Sequence, residues 1–461
     1  MRWLGEWELR LWQGVYPVLL QALLQLVKRK ALRDKNLQDG LQGREGLWER
    51  LGAQVAKRSW GRPLVWFHVA SAGEFLQALP VMERCVARGW ECGLTYSSVN
   101  ALRWLERMSS RLPLGVVFTE FLPADTRWNA QRLLATVQPQ SLVFVSYDLW
   151  PQLIWEASRQ QVPLFLISAI VHSGSFREAH PLGRSLYRTL YRQFDRMFAV
   201  SEEDAARIRR SVGGGVNLQV TGDTRCDSVL ERRDRMAPLE WPEWLRERFV
   251  FVAGSIWPED ERCIASALNQ SLHKHPELLV VLAPHEPTPE HLNSAEEAFQ
   301  DWPQARWSEY GVKLSPETRV LVIDAVGVLA QLYQVAQAAF VGGAFTTGVH
   351  NTMEPASFGV PVVFGPRFDN ALEARTMLQR NAAFSVDSLE AFAAHLRRWL
   401  ENPEECRQQG QRARRVIEEQ RGAAEACVPW ILPESSPAYV GGTLSSGGSS
   451  RKRRATTQAV T

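Results

Sequence analysis

The stretch LVWFHVASAGEFLQAL, residues 64–79, passes from an apolar run into a helical pattern through the segment ASAGE. The run 64–69 carries no acidic or strongly basic residue, which is typical of a parallel strand covered on both faces. Glu74 follows at the carboxyl end of that strand, the edge at which open parallel sheets bind ligands. Because acidic residues also favour the first turn of a helix, Glu74 is interpretable either as a functional carboxylate or as a helix cap.

Similar apolar runs alternate with helical patterns along the chain, which predicts an α/β fold of doubly wound parallel sheets. The predicted strands of the first half are 64–69, 91–97, 116–121, 142–147, 163–169, 196–200 and 218–221. Those of the second half are 249–253, 278–283, 319–323, 338–341 and 361–364. Pro238 and Pro242 prevent a regular helix between the two series and place a linker at 234–247. We therefore predict two Rossmann-like domains, 49–233 and 248–432, facing a cleft.

Composition and charge narrow the class of protein. The chain has 461 residues, a formal net charge of +3 and six widely spaced cysteines. The near balance of charge gives no general case for nucleic acid as a partner. The cysteines form no CxxC pair, which indicates free thiols in a reducing compartment and no structural zinc site.

The N-terminal segment, residues 1–48, contains the uncharged run LWQGVYPVLLQALLQLV at 11–27. A basic cluster follows it: Lys28, Arg29, Lys30, Arg33 and Lys35. A membrane-spanning helix needs about 20 predominantly apolar residues, and Pro17 interrupts this shorter run. The segment is either a helix packed on the protein's own surface or a membrane-associated helix with its basic end at anionic headgroups. We predict the second, at the cytoplasmic face, and a disordered, Gly- and Ser-rich tail at 433–461.

Two strand-to-helix junctions of the second half are candidates for binding a phosphorylated ligand. In VAGSIWPEDE, residues 252–261, Gly254 and Ser255 follow a strand and precede an acidic helix start. In VGGAFTTGVHNTMEPASFGVPVVFGP, residues 341–366, a double glycine is followed by the start of a short helix. A helix N-terminus suits a phosphate, and Glu354 could accept from ribose hydroxyls. The alternative is a local cap by Asn351 or Thr352 that needs no ligand.

Taken together, the chain resembles the 3-deoxy-D-manno-octulosonic acid (Kdo) transferases. The resemblance is carried, in order, by WFHVASAGE, FLPAD, DLWPQLI, VSEEDAARI, VTGDTRCD, AGSIWPEDE, VIDAVGVLAQLY and the block 341–366. It extends from the N-terminal helix to about residue 425. It implies a GT-B glycosyltransferase that moves Kdo from CMP-Kdo to a lipid A precursor, without metal or cofactor, at the cytoplasmic face of the cell inner membrane.

The resemblance also assigns roles to residues. It implies that Glu74 is the catalytic base. The implied donor-binding residues are Gly254, Ser255, Gly342, Gly343, His350, Asn351, Thr352 and Glu354. Candidates on the acceptor side are Ser71, Gly73, Asp148 and Arg177.

The chain departs from the family pattern at three places. Ser146–Gln152 replaces ETELWPN, so that Asp148 stands where many members have glutamate. Ala283–Glu286 lacks the arginine of Pro-Arg-His-Pro, and Arg225 stands where GNLKFD has lysine. These departures predict a divergent branch. Two other functions are consistent with the sequence: another GT-B enzyme acting on a UDP-sugar, and a membrane-tethered nucleotide-binding protein without turnover.

Overall fold

The computed structural model describes residues 2–107, 112–309, 314–369 and 371–432. In these residues the chain forms two parallel sheets of seven strands, each with helices on both faces. The prediction of two doubly wound α/β units is therefore confirmed. The predicted tail, 433–461, lies outside the described residues.

The strands of the first sheet are β1 (Leu64–Val69), β2 (Glu91–Tyr96), β3 (Val116–Phe121), β4 (Ser141–Val145), β5 (Leu164–Ala169), β6 (Arg196–Ala199) and β7 (Leu218–Val220). Those of the second sheet are β8 (Phe249–Ile256), β9 (Leu278–Pro284), β10 (Gln304–Arg306), β11 (Val320–Val322), β12 (Ala338–Val341), β13 (Val362–Phe364) and β14 (Ala383–Ser385). All twelve predicted strands are present. The two that were not predicted, β10 and β14, are three-residue edge strands with too few apolar residues to form a pattern.

The helices of the first half are α1 (Arg2–Ala31), α2 (Lys35–Gln42), α3 (Leu47–Val55), α4 (Ala72–Ala87), α5 (Val99–Arg107), α6 (Arg127–Val137), α7 (Pro151–Arg159), α8 (Phe176–Ala179), α9 (Pro181–Tyr191), α10 (Glu202–Val212) and α11 (Thr224–Arg235). The second half has α12 (Pro258–Lys274), α13 (Pro289–Glu297), α14 (Leu329–Leu332), α15 (Met353–Ser357), α16 (Leu372–Gln379), α17 (Leu389–Glu401), α18 (Pro403–Glu418) and α19 (Ala423–Ile431). The predicted linker contains a 3₁₀ turn, Glu243–Glu247.

The order of the strands determines where the candidate functional residues lie. The first sheet runs β3-β2-β1-β4-β5-β6-β7, and the second runs β10-β11-β9-β8-β12-β13-β14. Connections leave β1 and β4 in opposite directions, as they do β8 and β12, and a crevice forms at such a switch point. Glu74 follows β1 and Asp148 follows β4, while Ser255 is the penultimate residue of β8 and Gly342 follows β12.

The last described helix, α19, packs on the first domain, although the sequence-based division placed residues 248–432 in the second. Its Ala424, Cys427 and Ile431 are fully buried in the core that contains Phe75 of α4. That division is therefore wrong at its C-terminal end. An amphipathic helix pattern shows that a face is apolar, but it does not show which domain covers that face.

Helix α1 lies on the first domain along one stripe and exposes apolar side chains elsewhere. Trp12 is 6% exposed and its Nε1 donates to Ser185 Oγ at 3.0 Å. The ring of Tyr16 packs edge-on against Trp155 at 5.9 Å between centroids. Val18 and Leu26 are exposed. Among the described helices, we find none that is both long and apolar enough to cross a membrane.

Candidate active site

Glu74 is a buried carboxylate at the start of α4. It is 3% exposed, and its Oε2 accepts a hydrogen bond from the N–H of Ala70. Its other oxygen, Oε1, is buried without a hydrogen-bond partner. Burial raises the pKa of Glu74 from 4.5 to about 8, and the nearby charge of Asp148 adds to the rise, against the opposing effects of the Ala70 N–H and of Arg177. The carboxylate thus closes the local turn with one oxygen and keeps the other unengaged.

Ser71 and Gly73 surround this carboxylate in different ways. Ser71 is the N-cap of α4, and its Oγ accepts from the N–H of Glu74 at 3.2 Å. A Cβ at Gly73 would meet only Ser71 Oγ, at 3.7 Å, so the protein's own packing does not require a glycine there. The absent side chain leaves open space beside Glu74.

Asp148 is held by three donors at the end of β4. Its Oδ2 accepts from Trp150 Nε1 at 2.8 Å and from Ser97 Oγ at 3.3 Å, and it lies 3.1 Å from His68 Nε2. Burial alone would raise the pKa of Asp148, but these hydrogen bonds outweigh burial and hold the pKa below its ordinary value. His68 also lies 3.0 Å from Thr95 Oγ1, so both ring nitrogens are engaged. His68 therefore orients Asp148, and Asp148 provides a fixed negative charge near Glu74.

Arg177 provides the cation on this side of the site. Its guanidinium lies 5.2 Å from the ring centroid of Tyr147 and 4.9 Å from that of Tyr187. Its Nη1 is buried without a hydrogen-bond partner. The positive charge acts on Glu74 in the direction that favours ionisation. The structure thus brings Glu74, Asp148 and Arg177 into one electrostatic group.

The glycines of the second domain are explained first by packing. A Cβ at Gly342 would lie 2.3 Å from the carbonyl oxygen of Ser255, and a Cβ at Gly254 would lie 2.4 Å from Tyr333 Oη. Gly343 adopts φ +91°, and its N–H donates to the buried Oδ2 of Asp260 at 2.8 Å. Gly342 therefore allows the ends of β8 and β12 to lie close together, and Gly254 makes room for Tyr333. Their contact with a donor stays a prediction.

His350 belongs to a stack of aromatic rings that the sequence analysis missed. Its ring lies parallel to that of His285, with centroids 4.3 Å apart, and Trp257 lies 4.7 Å from His285. Trp257 Nε1 donates to His350 Nε2 at 3.0 Å, which leaves the hydrogen of a neutral His350 on Nδ1. Burial and the neighbouring His285 lower the pKa of His350 to about 4, so the ring is neutral near pH 7.

The short helix predicted within the block 341–366 is present. Helix α15 begins at Met353 and contains five residues. Asn351 Oδ1 accepts from the N–H of Met353 at 3.0 Å, whereas the side chain of the N-cap residue, Thr352, makes no capping hydrogen bond. Thr352 is fully buried, and its Oγ1 lies 3.4 Å from Glu373 Oε1. Glu354 is paired with Arg232 of α11.

A chain of polar contacts links α4 to the loop before α15. Gln77, three residues after Glu74, donates to Asp223 Oδ1 at 2.9 Å, and Asp223 caps α11. Arg225 Nη2 donates to the buried Glu373 at 3.1 Å, and Glu373 is the partner of Thr352. The sequence showed Arg225 only as a departure from a pattern. Its partners are distant in the chain, so no local signal reveals them.

Among the described residues, no cluster of His, Cys, Asp and Glu is suited to hold a metal ion. That transfer needs neither a metal nor a cofactor stays a prediction.

Two doubly wound parallel sheets with this strand order define a protein of the GT-B fold class. Residues 45–228 match the family model described as 3-deoxy-D-manno-octulosonic-acid transferase (kdotransferase). The Arabidopsis thaliana protein named "Probable 3-deoxy-D-manno-octulosonic acid transferase, mitochondrial" is 30% identical over 330 residues, 69% of this chain and 72% of the relative. The 3-deoxy-D-manno-octulosonic acid transferase of Bordetella pertussis is 28% identical over 376 residues, 78% and 85% of the two chains. The chain belongs to the 3-deoxy-D-manno-octulosonic acid transferase family.

Solved structures show the same fold at low identity. A UDP-GlcNAc 2-epimerase from Neisseria meningitidis bound to UDP-GlcNAc aligns with a TM-score of 0.52 and 13% identity, covering 80% of this chain and 99% of the other. The S. aureus MnaA structure with UDP aligns with a TM-score of 0.55 and 13% identity, covering 79% and 95%. At this identity the likeness establishes the fold alone.

Proposed function

We propose that the protein transfers Kdo from CMP-Kdo to a membrane-borne lipid A precursor at the cytoplasmic face of the bacterial inner membrane, with Glu74 as the general base. The observation that carries the proposal is the state of Glu74: a buried carboxylate of raised pKa, with one unengaged oxygen, at the switch point of the first sheet. Family membership supplies the class of reaction.

The proposed step is a displacement with inversion. Glu74 Oε1 accepts the proton of the acceptor hydroxyl while the hydroxyl oxygen forms a bond to the anomeric carbon of Kdo. The bond between the anomeric carbon and the phosphate oxygen breaks, and CMP leaves with the electron pair. A base with a pKa of about 8 is well matched to this task, because it is basic enough to hold a proton and still partly ionised near pH 7.

Two charged groups adjust this base. Asp148 is an anion whose charge favours the protonated form of Glu74, and Arg177 is a cation whose charge favours the ionised form. Arg177 has a buried, unpartnered Nη1, so it can also donate to a phosphate of the acceptor. We assign Asp148 and Arg177 to the acceptor side on these grounds.

The second domain supplies the proposed donor site. The end of β8 and the loop after β12 lie side by side at its switch point, and His350, neutral near pH 7, donates its backbone N–H to the carbonyl of Gly342 there at 3.0 Å. His350 has an Nδ1–H left to donate to a phosphate or sugar oxygen. The Glu354 carboxylate can release its ion-pair partner Arg232 and accept hydrogen bonds from ribose hydroxyls instead.

The surface of α1 supports the membrane location. Val18, Leu19 and Leu26 are 67%, 53% and 61% exposed on a helix that ends in exposed basic residues. An amphipathic surface of this kind binds at the interface of an anionic membrane.

The test is transfer from CMP-Kdo, generated in situ, to a tetraacyl lipid A precursor in detergent, with the product followed by mass spectrometry. Wild type should give a product heavier by one or more Kdo residues, and Glu74→Ala should give almost none while it still binds CMP. Substituting UDP-N-acetylglucosamine as donor is the control for the nucleotide. Turnover of UDP-N-acetylglucosamine in place of CMP-Kdo would refute the donor, and equal turnover by Glu74→Ala would refute the base.

A further inference from the structure

A cavity of about 490 Å³ lies between the first two helices and the carboxyl edge of the first sheet. On the side of α1 and α2 the wall is largely aliphatic and includes Leu20, Leu24, Leu37 and Leu41, whereas the rest of the wall contains polar and charged residues, among them Arg44. The volume is within the range of about 300–1,000 Å³ that small-molecule sites have. These leucines are separate from Glu74, Asp148 and Arg177, the charged residues of the candidate active site.

The wall contributed by α1 is a regular helical stripe. The cavity is lined by Tyr16, Leu20, Leu23, Leu24 and Val27, which occupy positions i, i+4, i+7, i+8 and i+11 of the helix. Such spacing places all five side chains on one face of a helix. A second apolar stripe, with Val18 and Leu19, faces outward. The helix is therefore apolar towards both the cavity and its surroundings.

The two apolar stripes of α1 meet at Leu23. This side chain lines the cavity and is nevertheless 55% exposed. An apolar group can therefore pass from the exposed face of α1 into the cavity without crossing a polar barrier on this helix. A soluble polar ligand would gain nothing from such an entrance, whereas a chain drawn from a membrane would.

The opposite end of the cavity is polar and adjoins the candidate active site. Asp148 and Ser97 line that end, and Asp148 is a charged neighbour of Glu74. Asp125, also in the wall, is satisfied by the N–H groups of Gln152 and Leu153 at 3.0 and 3.1 Å. These carboxylates are held by the protein itself, so they do not demand a cationic ligand.

We infer that this cavity binds one fatty-acyl chain of the acceptor, with the chain entering past Leu23 and the polar headgroup remaining at the end that adjoins Glu74. The inference rests on the proposed function for the identity of the acceptor. It assigns α1 a second role besides membrane contact: one face of the helix forms the wall of a substrate site. The arrangement would fix the distance between the acyl chain and the hydroxyl that reacts.

The direct test is binding of a fluorescent fatty acid, cis-parinaric acid, to the purified full-length chain. Leu24→Trp fills the cavity from α1 and should weaken binding at least tenfold. Gln25→Trp is the matched control, because it adds the same ring one residue away at an exposed position outside the cavity wall. It should bind as wild type does. Saturated fatty acids of increasing length should compete about fourfold better per added methylene until the cavity is full.

A second variant shows whether a loss of fatty-acid binding by Leu24→Trp comes from the filled cavity or from misfolding. Asn100→Trp blocks the cavity from the exposed start of α5 without altering a buried side chain. It should weaken fatty-acid binding as Leu24→Trp does. Equal binding by wild type and both cavity variants would overturn the inference. So would an equal loss in Gln25→Trp, which would show general adsorption to α1.

Kinetics then separate this inference from the proposed function. With an acylated acceptor, both cavity variants should raise KM, whereas a fully deacylated acceptor should react equally with variants and wild type. Variants that lose fatty-acid binding but keep the wild-type KM for the acylated acceptor would show that the cavity holds some other apolar chain, against the inference. If wild type transfers nothing, the proposed function fails, and the binding experiment still decides whether the cavity takes an acyl chain.

Discussion

Replacing Glu74 with glutamine removes the charge of the proposed base and keeps nearly the same shape. The amide oxygen can still accept from the N–H of Ala70, so the start of α4 should be retained. What the variant lacks is a group that can take a proton. General-base catalysis contributes about 10²–10⁴-fold, so kcat should fall by that factor while CMP binding is unchanged.

The magnitude of the effect on stability follows from the pKa. The folded state raises the pKa of Glu74 from 4.5 to about 8. Between these two values the folded protein holds a proton that the unfolded chain releases. The contribution to stability is therefore complete below pH 4.5 and is lost as the pH rises towards 8, at about 1.4 kcal/mol per pH unit. Glutamine does not titrate, so this slope should be absent from Glu74→Gln.

The same pKa sets the dependence of activity on pH. At pH 7 roughly one-tenth of Glu74 is ionised if the pKa is about 8. The value of kcat/KM should therefore rise about tenfold per pH unit between pH 6 and 7.5 and level off above 8. Urea denaturation and initial rates across this range, on wild type and Glu74→Gln, measure both effects. Glu49→Gln, at an exposed position of α3, is the control for loss of one carboxylate.

Two results would refute this reasoning. A wild-type rate that is flat from pH 6 to 9, together with near-normal transfer by Glu74→Gln, would remove Glu74 as the base. Equal pH dependence of the free energy of unfolding in the variant and in wild type would show that Glu74 does not carry the raised pKa.

Other contacts of the site lead to three further predictions. Arg225→Met should lower the free energy of unfolding by about 3–5 kcal/mol, because it leaves Glu373 buried without its cation; a loss below 1 kcal/mol in urea denaturation would contradict this. Glu354→Gln should weaken CMP binding about tenfold by calorimetry if the carboxylate accepts from ribose, and an unchanged Kd would show that it serves Arg232 alone. The imidazole of His350 should titrate at about pH 4 by NMR, because burial and a neighbouring histidine disfavour its charge; a midpoint near 6.5 would contradict the stacked arrangement.

Local patterns in the sequence were sufficient for the framework of the fold. The apolar run 64–69 became a fully buried strand with the predicted bounds, because a parallel strand covered on both faces must be apolar throughout. The position of Glu74 followed directly, since a residue that comes after such a strand lies at the carboxyl edge of the sheet. The structure shows the capping contact of Glu74 through one oxygen and leaves the other oxygen without a partner, so the catalytic role of Glu74 stays a prediction.

Tertiary structure decided everything that depends on contacts distant in the chain. The return of α19 to the first domain, the pairing of Arg225 with Glu373 and the stack of His285 on His350 join segments that no local pattern relates. The need for a glycine at position 342 is likewise set by the carbonyl of Ser255, which only the folded chain brings close.

The N-terminal helix shows most clearly which properties the sequence determines and which the tertiary structure determines. The sequence by itself determined that residues 11–27 are apolar enough to form a helix that seeks an apolar environment. Only the tertiary structure decided that one stripe of this helix lines a cavity leading to Asp148 while another stays exposed. The physical reason is that hydrophobic burial has no direction: composition specifies that apolar surface will be covered, and the geometry of the neighbouring elements selects what covers it.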